Sequence, residues 1–174
     1  LAAVRGHLGD RPVVLIGHSF GTQVALEAYR LRPEGVRAMV FLCGSFGRVT
    51  HTFKGTDLLA NLLPRITELA DKHPRIARAL WSRLPPRVAV KVALLTGDVD
   101  PRTVVPEDID PYFWHISHID FPMFLEMLRH AGEHSAEDLL PNVKVPVLII
   151  AGDHDSFTPP QLSQAMAGIM PSPG

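Results

Sequence analysis

A serine flanked by two glycines is the residue of this sequence best suited to covalent chemistry. Ser19 stands between Gly17 and Gly21, after the apolar run 13–16 and before the helix-forming stretch 22–30. A strand, a glycine-flanked serine and a helix in this order predict a nucleophile elbow. In that sharp turn a strained backbone holds the serine hydroxyl clear of the strand end, where it can attack a carbonyl group.

The same turn predicts a site for negative charge. A Cβ at Gly17 or at Gly21 is expected to collide across the turn, which explains both glycines. The following helix directs its N-terminal amides and positive dipole end at Ser19, so the backbone N–H of Phe20 is a predicted oxyanion donor. His18 is either a wall of the substrate pocket or a packing residue.

A serine hydroxyl needs a base, usually a histidine, and a carboxylate that orients the base. Asp153 and Asp155 follow the apolar stretch 145–151. In a parallel sheet the residues that follow different strands meet at the carboxyl edge, so either aspartate is a candidate acid near Ser19. His154 is an unfavourable base, because its side chain is expected to point away from the position that Asp155 would orient.

The remaining histidines raise the question of a metal. His115 and His118 lie three residues apart near Asp120, and His130 and His134 lie four apart. A zinc site usually adds a third ligand and supporting hydrogen bonds, and the sequence identifies neither. We therefore expect solvated histidines and no metal, with a zinc site as the alternative.

Composition excludes several classes of protein. The 174 residues are 46% apolar and 20% charged, with a net charge of −1. These values describe an ordinary globular domain without the basic surface of a nucleic-acid-binding protein. The apolar runs are too short to span a membrane. Cys43 is the one cysteine, which rules out an internal disulfide and favours a reducing compartment such as the cytoplasm. Oligomeric state is not predicted.

The apolar pattern divides the chain into three segments. Residues 1–46 and 143–174 contain three continuous apolar strands and intervening helices, which predict a parallel α/β sheet covered on both faces. The predicted strands are 13–16, 36–43 and 145–151, and the predicted helices of these segments are 1–8, 19–31 and 161–170. We expect Leu1, Val4 and Leu8 to share one packing face, and Val24, Leu26 and Tyr29 to pack in the next helix.

Residues 47–142 predict a helical, proline-broken insertion, a cap on the sheet domain. Amphipathic stretches fall near 58–69, 76–83, 121–128 and 136–140, and 88–95 favours helix. Six aromatic residues are either walls of an apolar pocket or simply core: Phe46, Trp81, Phe113, Trp114, Phe121 and Phe124.

Two blocks together resemble the α/β-hydrolase family. These are Val-Leu-Ile-Gly-His-Ser-Phe-Gly at 14–21 and Val-Pro-Val-Leu-Ile-Ile-Ala-Gly-Asp-His-Asp-Ser-Phe-Thr-Pro-Pro at 145–160. The second block is similar to the acid loop of that family. Aligned on Gly152 and Pro159, the resemblance implies Asp155 as the triad acid, with Asp153 as the alternative, and Ser19 as the nucleophile.

The resemblance also implies an activity, and it implies two catalytic groups that match no residue of this sequence. It implies a serine hydrolase that cleaves small or medium apolar carboxylic esters through an acyl-enzyme, without metal or organic cofactor. The alternatives are a carbon–carbon bond hydrolase, another acyl-transfer enzyme or a non-catalytic ligand-binding protein. The family's catalytic histidine and second oxyanion donor match no residue here. We therefore expect an internal piece of a longer protein, inactive by itself. A serine at position 19 argues against the dehalogenase and epoxide-hydrolase branches.

Overall fold

The computed structural model describes residues 1–48, 57–83 and 105–171. In chain order the elements are α1 (Ala2–His7), β1 (Val13–His18), α2 (Gly21–Leu31), β2 (Val36–Leu42), α3 (Leu58–Lys72), α4 (Pro74–Ser82), α5 (Pro106–His118), α6 (Phe121–Glu133), a 3-10 helix (Glu137–Asn142), β3 (Val147–Ile150) and α7 (Pro160–Ile169). The predicted helix at 88–95 lies outside the described residues.

The chain forms two compact units. The first combines Leu1–Asp57 with Ala131–Gly174, and the second is Leu58–His130. The first contains the strands, and the second is helical throughout its described residues. That 47–142 is an inserted cap stays a prediction.

The sheet of the first unit is parallel, as predicted. Its strand order is β1-β2-β3, so each strand pairs with the next one along the chain. Helix α2 connects β1 to β2, as parallel pairing requires a crossover. The register pairs His18 with Leu42 and Leu42 with Ile150, so all three strands end at one level.

The core of this unit lies on one face of the sheet. Alternate strand residues such as Leu15, Met39 and Phe41 are buried there against Leu26 of α2 and Met166 of α7. The opposite face presents large apolar side chains, with exposed fractions of 51% for Val14, 67% for Ile16, 55% for Leu148 and 46% for Ile150. The prediction of two covered faces does not hold for the described residues, because α2 and α7 both pack on the same side.

Helix α1 forms as predicted but buries a different face. Arg5 is its buried residue, and its guanidinium donates to the backbone oxygens of Arg32 (2.7 Å) and Glu34. The predicted apolar face is exposed: Leu1, Val4 and Leu8. The prediction was wrong because hydrogen bonds to the loop after α2, rather than apolar contacts, hold this helix.

In α2 the packing prediction is confirmed for Leu26 and Tyr29 and wrong for Val24, which is exposed. Two polar residues, Thr22 and Gln23, are buried instead. The Gln23 side-chain nitrogen donates to the Ala131 oxygen at 3.5 Å, and Tyr29 accepts from the Lys144 N–H at 3.1 Å. Helix α2 thus contacts the segment 131–144 as well as the sheet.

An ion pair between α2 and the 3-10 helix predicts pH-dependent stability. Arg30 donates to both carboxylate oxygens of Asp138, at 2.6 and 2.8 Å, and these bonds hold the pKa of Asp138 below its ordinary value. A lowered pKa contributes stability above the unfolded pKa and loses it as the pH falls through the folded pKa. Asp138→Asn should therefore destabilise the protein at pH 7, with a difference that shrinks below about pH 4. Urea unfolding at pH 7 and pH 3 measures both values; an unchanged difference contradicts this account.

The helical unit has a small apolar core of its own. Leu63, Ala70 and Leu125 are buried in it, and α3 continues through Pro64. Trp81 stacks on Phe121 with a centroid distance of 4.8 Å and donates its indole N–H to the Ile119 oxygen at 3.1 Å. Among the described residues, no helix has the length and apolarity needed to cross a membrane.

Candidate active site

Ser19 occupies the strained turn that the sequence predicts. Its φ is +53°, a value that residues with a side chain rarely adopt, and the residue is exposed. The Ser19 backbone N–H donates to the backbone oxygen of Leu42 in β2 at 2.9 Å. The Ser19 backbone carbonyl oxygen accepts from the Thr22 N–H at 3.0 Å. The backbone on both sides of the hydroxyl is thus held by hydrogen bonds while the side chain remains accessible.

The two flanking glycines have different roles. A Cβ on Gly17 would lie 2.5 Å from the Gly21 oxygen and 2.7 Å from the Thr22 Cα, so the turn leaves room for hydrogen alone. A Cβ on Gly21 would meet nothing within 4 Å. The expectation of a collision is therefore confirmed for Gly17 and wrong for Gly21, which begins α2 with its outer side open.

The N-terminus of α2 lies directly after Ser19. The helix begins at Gly21, two residues later than predicted, and Phe20 is its half-buried N-cap residue. Among the described residues, the Phe20 N–H donates to no backbone acceptor. A free N–H and the positive end of the helix dipole meet beside the serine, which is the arrangement that an oxyanion requires. The oxyanion role of Phe20 stays a prediction.

The loop after β3 binds the carboxylate of Asp155. Its Oδ1 accepts from the Phe157 and Thr158 N–H groups, both at 2.9 Å, and its Oδ2 accepts from the Thr158 hydroxyl at 2.8 Å. An ionised carboxylate has about four acceptor positions, so Oδ2 keeps one for a further donor. Asp155 is half-buried, whereas Asp153 is exposed. The carboxylate with a defined orientation is therefore Asp155.

The register of the sheet places these two groups on the same edge. His18 and Ile150 are both paired with Leu42, and Ser19 and the acid loop follow directly after these two strand ends. With adjacent strands about 4.8 Å apart, β1 and β3 are separated by about 10 Å. The end of β2 lies between the turn at Ser19 and the loop that contains Asp155.

The described histidines lie in several parts of the structure. His18 and His154 are exposed beside Ser19 and Asp155. His134 Nε2 binds Glu27 of α2 at 2.9 Å, and His130 Nε2 binds Glu126 at 2.9 Å. Within the described ranges, no three His, Cys, Asp or Glu side chains form a group able to hold a metal ion.

The loop after β2 lies beside the site and was not predicted from the sequence. Cys43 was predicted to be the last residue of the strand 36–43, but β2 ends at Leu42, and Cys43 has a φ of +45° at the start of the following loop. A Cβ on Gly44 would overlap the Thr22 side chain and lie 3.1 Å from the Ser19 oxygen, so this loop lies close against the turn. The dipeptide Cys-Gly after a buried strand was the available signal, since glycine commonly marks a close backbone approach.

The aromatic residues named in the sequence analysis lie in different environments. Phe46 packs against the core of the sheet unit. In the helical unit, a groove of about 350 Å³ is lined by Ile66, Leu69, Ala70, His73, Ile76, Ala77, Leu80, Trp81 and Phe121. Trp81 and Phe121 therefore contribute both to packing and to a groove wall, whereas Trp114 is exposed. The side chain of Phe113 lies outside the described residues.

Comparison with known proteins agrees with this fold. The chain is 26% identical over 168 residues to the uncharacterized hydrolase YugF of Bacillus subtilis, covering 95% of this chain and 56% of YugF. The structure is similar to an esterase from Exiguobacterium antarcticum (TM-score 0.64, 17% identity, 96% of this chain and 58% of that one). It is also similar to a bromoperoxidase from Bacillus anthracis (TM-score 0.64, 17% identity, 98% and 60%).

The chain thus spans less than two thirds of the length of these relatives. The model of the alpha/beta hydrolase fold family matches residues 1–173, nearly the whole chain. The parallel sheet and the turn at Ser19 agree with this match. Because the match covers nearly the whole chain, the chain belongs to the alpha/beta hydrolase fold family.

Proposed function

We propose that the whole protein is a serine hydrolase of apolar carboxylic esters, with Ser19 as nucleophile and Asp155 as the acid of its triad. The observation that carries the proposal is the strained backbone of an exposed serine, with φ at +53°, at the sheet edge that also holds the acid loop. Strained conformations persist only where the surrounding structure enforces them, and they concentrate at functional sites.

The proposed reaction follows from the atoms at this edge. The Ser19 Oγ attacks the ester carbonyl carbon while a histidine takes the hydroxyl proton. The Phe20 N–H stabilises the negative oxygen of the tetrahedral intermediate. The C–O bond then breaks, and the alcohol leaves with the proton from the histidine. Water attacks the acyl-enzyme in the same way, which releases the acid and restores Ser19.

The carboxylate of Asp155 holds the histidine in the required tautomer and orientation through its free acceptor position. We assign the histidine and the second oxyanion donor to parts of the whole protein outside residues 1–174, in line with the family resemblance. His18 is proposed as a wall of the substrate pocket, and 47–142 as the cap insertion. No cofactor takes part in this scheme.

A fluorophosphonate probe tests the proposal on the complete protein, because the probe reacts covalently with activated serines. We expect stoichiometric labelling of Ser19, loss of labelling in Ser19→Ala, and unchanged labelling in the control Ser82→Ala, an exposed serine of the helical unit. Peptide mass analysis locates the modified residue. A folded parent protein that is not labelled contradicts the proposal and favours a non-catalytic ligand-binding protein. If labelling succeeds, a substrate panel separates esters from carbon–carbon bonded diketones.

A further inference from the structure

Thr22 lies on the inner side of the turn formed by residues 17–21. It is fully buried, although it belongs to the first turn of α2. Its N–H donates to the Ser19 oxygen at 3.0 Å, and its hydroxyl donates to the Gly17 oxygen at 3.4 Å. One residue thus contacts the peptide groups on both sides of the strained turn.

Gly44, in the loop after β2, lies against the side chain of Thr22. A Cβ on Gly44 would overlap the Thr22 Oγ1, lie 2.6 Å from the Thr22 Cβ and lie 3.1 Å from the Ser19 oxygen. Cys43 supports the approach, because its φ of +45° turns the chain at the end of β2 and its N–H donates to the Ile150 oxygen at 2.8 Å. The loop after β2 is therefore fixed by a hydrogen bond to β3 and packs against Thr22.

We propose that Thr22 and Gly44 are positioning residues for Ser19: the glycine provides the space that Thr22 fills, and Thr22 fixes the strained turn from within. This inference rests on the proposed function, since it assigns these residues a role through the nucleophile. A strained φ relaxes unless the surrounding contacts determine it. Here the contacts come from the end of β1, the first turn of α2 and the loop after β2.

The expected consequence is kinetic. Displacing a reacting atom by about 1 Å lowers the rate about a hundredfold, whereas substrate binding depends on other surfaces. Gly44→Ala in the complete protein should therefore lower kcat about a hundredfold with KM within about twofold. The rate constant of fluorophosphonate labelling should fall in parallel.

A size exchange supplies the rescue test. Thr22→Gly added to Gly44→Ala removes both atoms that the new Cβ would meet in the side chain of residue 22, so we expect at least a tenfold recovery of kcat. Thr22→Ala is the matched control: it keeps the Cβ at 2.6 Å, and Thr22→Ala with Gly44→Ala should remain as slow as Gly44→Ala alone. Circular dichroism confirms that each variant is folded.

A second variant keeps the test decisive if Gly44→Ala does not fold. Thr22→Val retains the shape and removes the hydroxyl donor to Gly17, so kcat should fall about three- to tenfold at unchanged KM, while Thr22→Ser retains the parent value. Parent-like kcat in both Gly44→Ala and Thr22→Val overturns the inference, as does equal recovery with Thr22→Gly and Thr22→Ala. If Ser19 of the parent is not labelled at all, it is the proposed function that has failed.

Discussion

Replacing Gly17 with alanine is expected to lower the free energy of unfolding by about 3 kcal/mol. The new Cβ would lie 2.5 Å from the Gly21 oxygen and 2.7 Å from the Thr22 Cα. These are backbone atoms, so no side-chain rotation relieves the overlap, and β1 must separate from α2. Urea denaturation of the parent and the variant measures the difference, and Ser19 labelling should be lost in parallel.

Gly21→Ala is the matched control for that experiment. The added Cβ meets nothing within 4 Å, and Gly21 does not have a positive φ. Alanine also restricts the unfolded chain more than glycine does, so this variant should be neutral or stabilising by less than about 1 kcal/mol. Equal destabilisation by the two substitutions would contradict the steric account and indicate that any side chain disrupts the turn.

Replacing Asp155 with asparagine is expected to lower kcat of the complete protein by three to four orders of magnitude, on the order of what loss of a triad acid causes. The amide oxygen can still accept from the Phe157 and Thr158 N–H groups at the Oδ1 position. The other position then carries an NH₂ group. In the proposed mechanism it can then no longer accept from the imidazole of the histidine or stabilise the imidazolium.

Stopped-flow or steady-state hydrolysis of an activated ester measures this effect, with thermal unfolding to confirm that the loop remains folded. Asp153→Asn is the control, since Asp153 is exposed two residues away in the same loop. Its kcat should stay within about twofold of the parent. The opposite result, a large loss in Asp153→Asn and a small one in Asp155→Asn, would transfer the acid role to Asp153.

Local pattern was sufficient for much of the fold. Largely apolar runs identified the three strands, because a buried parallel strand is apolar along most of its length. Glycine and proline located the helix ends, as at Gly9, which follows α1 and has a φ of +72°. The elbow was also local: strand, Gly17, Ser19 and helix are consecutive, so their order in the sequence is their order in space. The loop after β3 was a candidate because its two aspartates follow an apolar strand, and only the preference for Asp155 came from a resemblance.

What covers each surface was decided by the tertiary structure. Periodicity shows that a side is apolar, but it does not show whether another element lies against it. The apolar face of α1 is exposed while Arg5 is buried, and Ile16 is exposed on a sheet face that lacks a partner among the described residues. Both outcomes depend on where distant segments pack, which no local pattern contains.

The same holds for the site. The sequence by itself determined that a serine with this turn chemistry and a carboxylate after a later strand are present. The tertiary structure decided that Asp155 rather than Asp153 is held by three hydrogen bonds. It also decided that Gly44, distant along the chain, lies against Thr22 and the turn at Ser19. A residue's type limits what it can donate, accept or exclude, but its partners exist only once the strands have aligned.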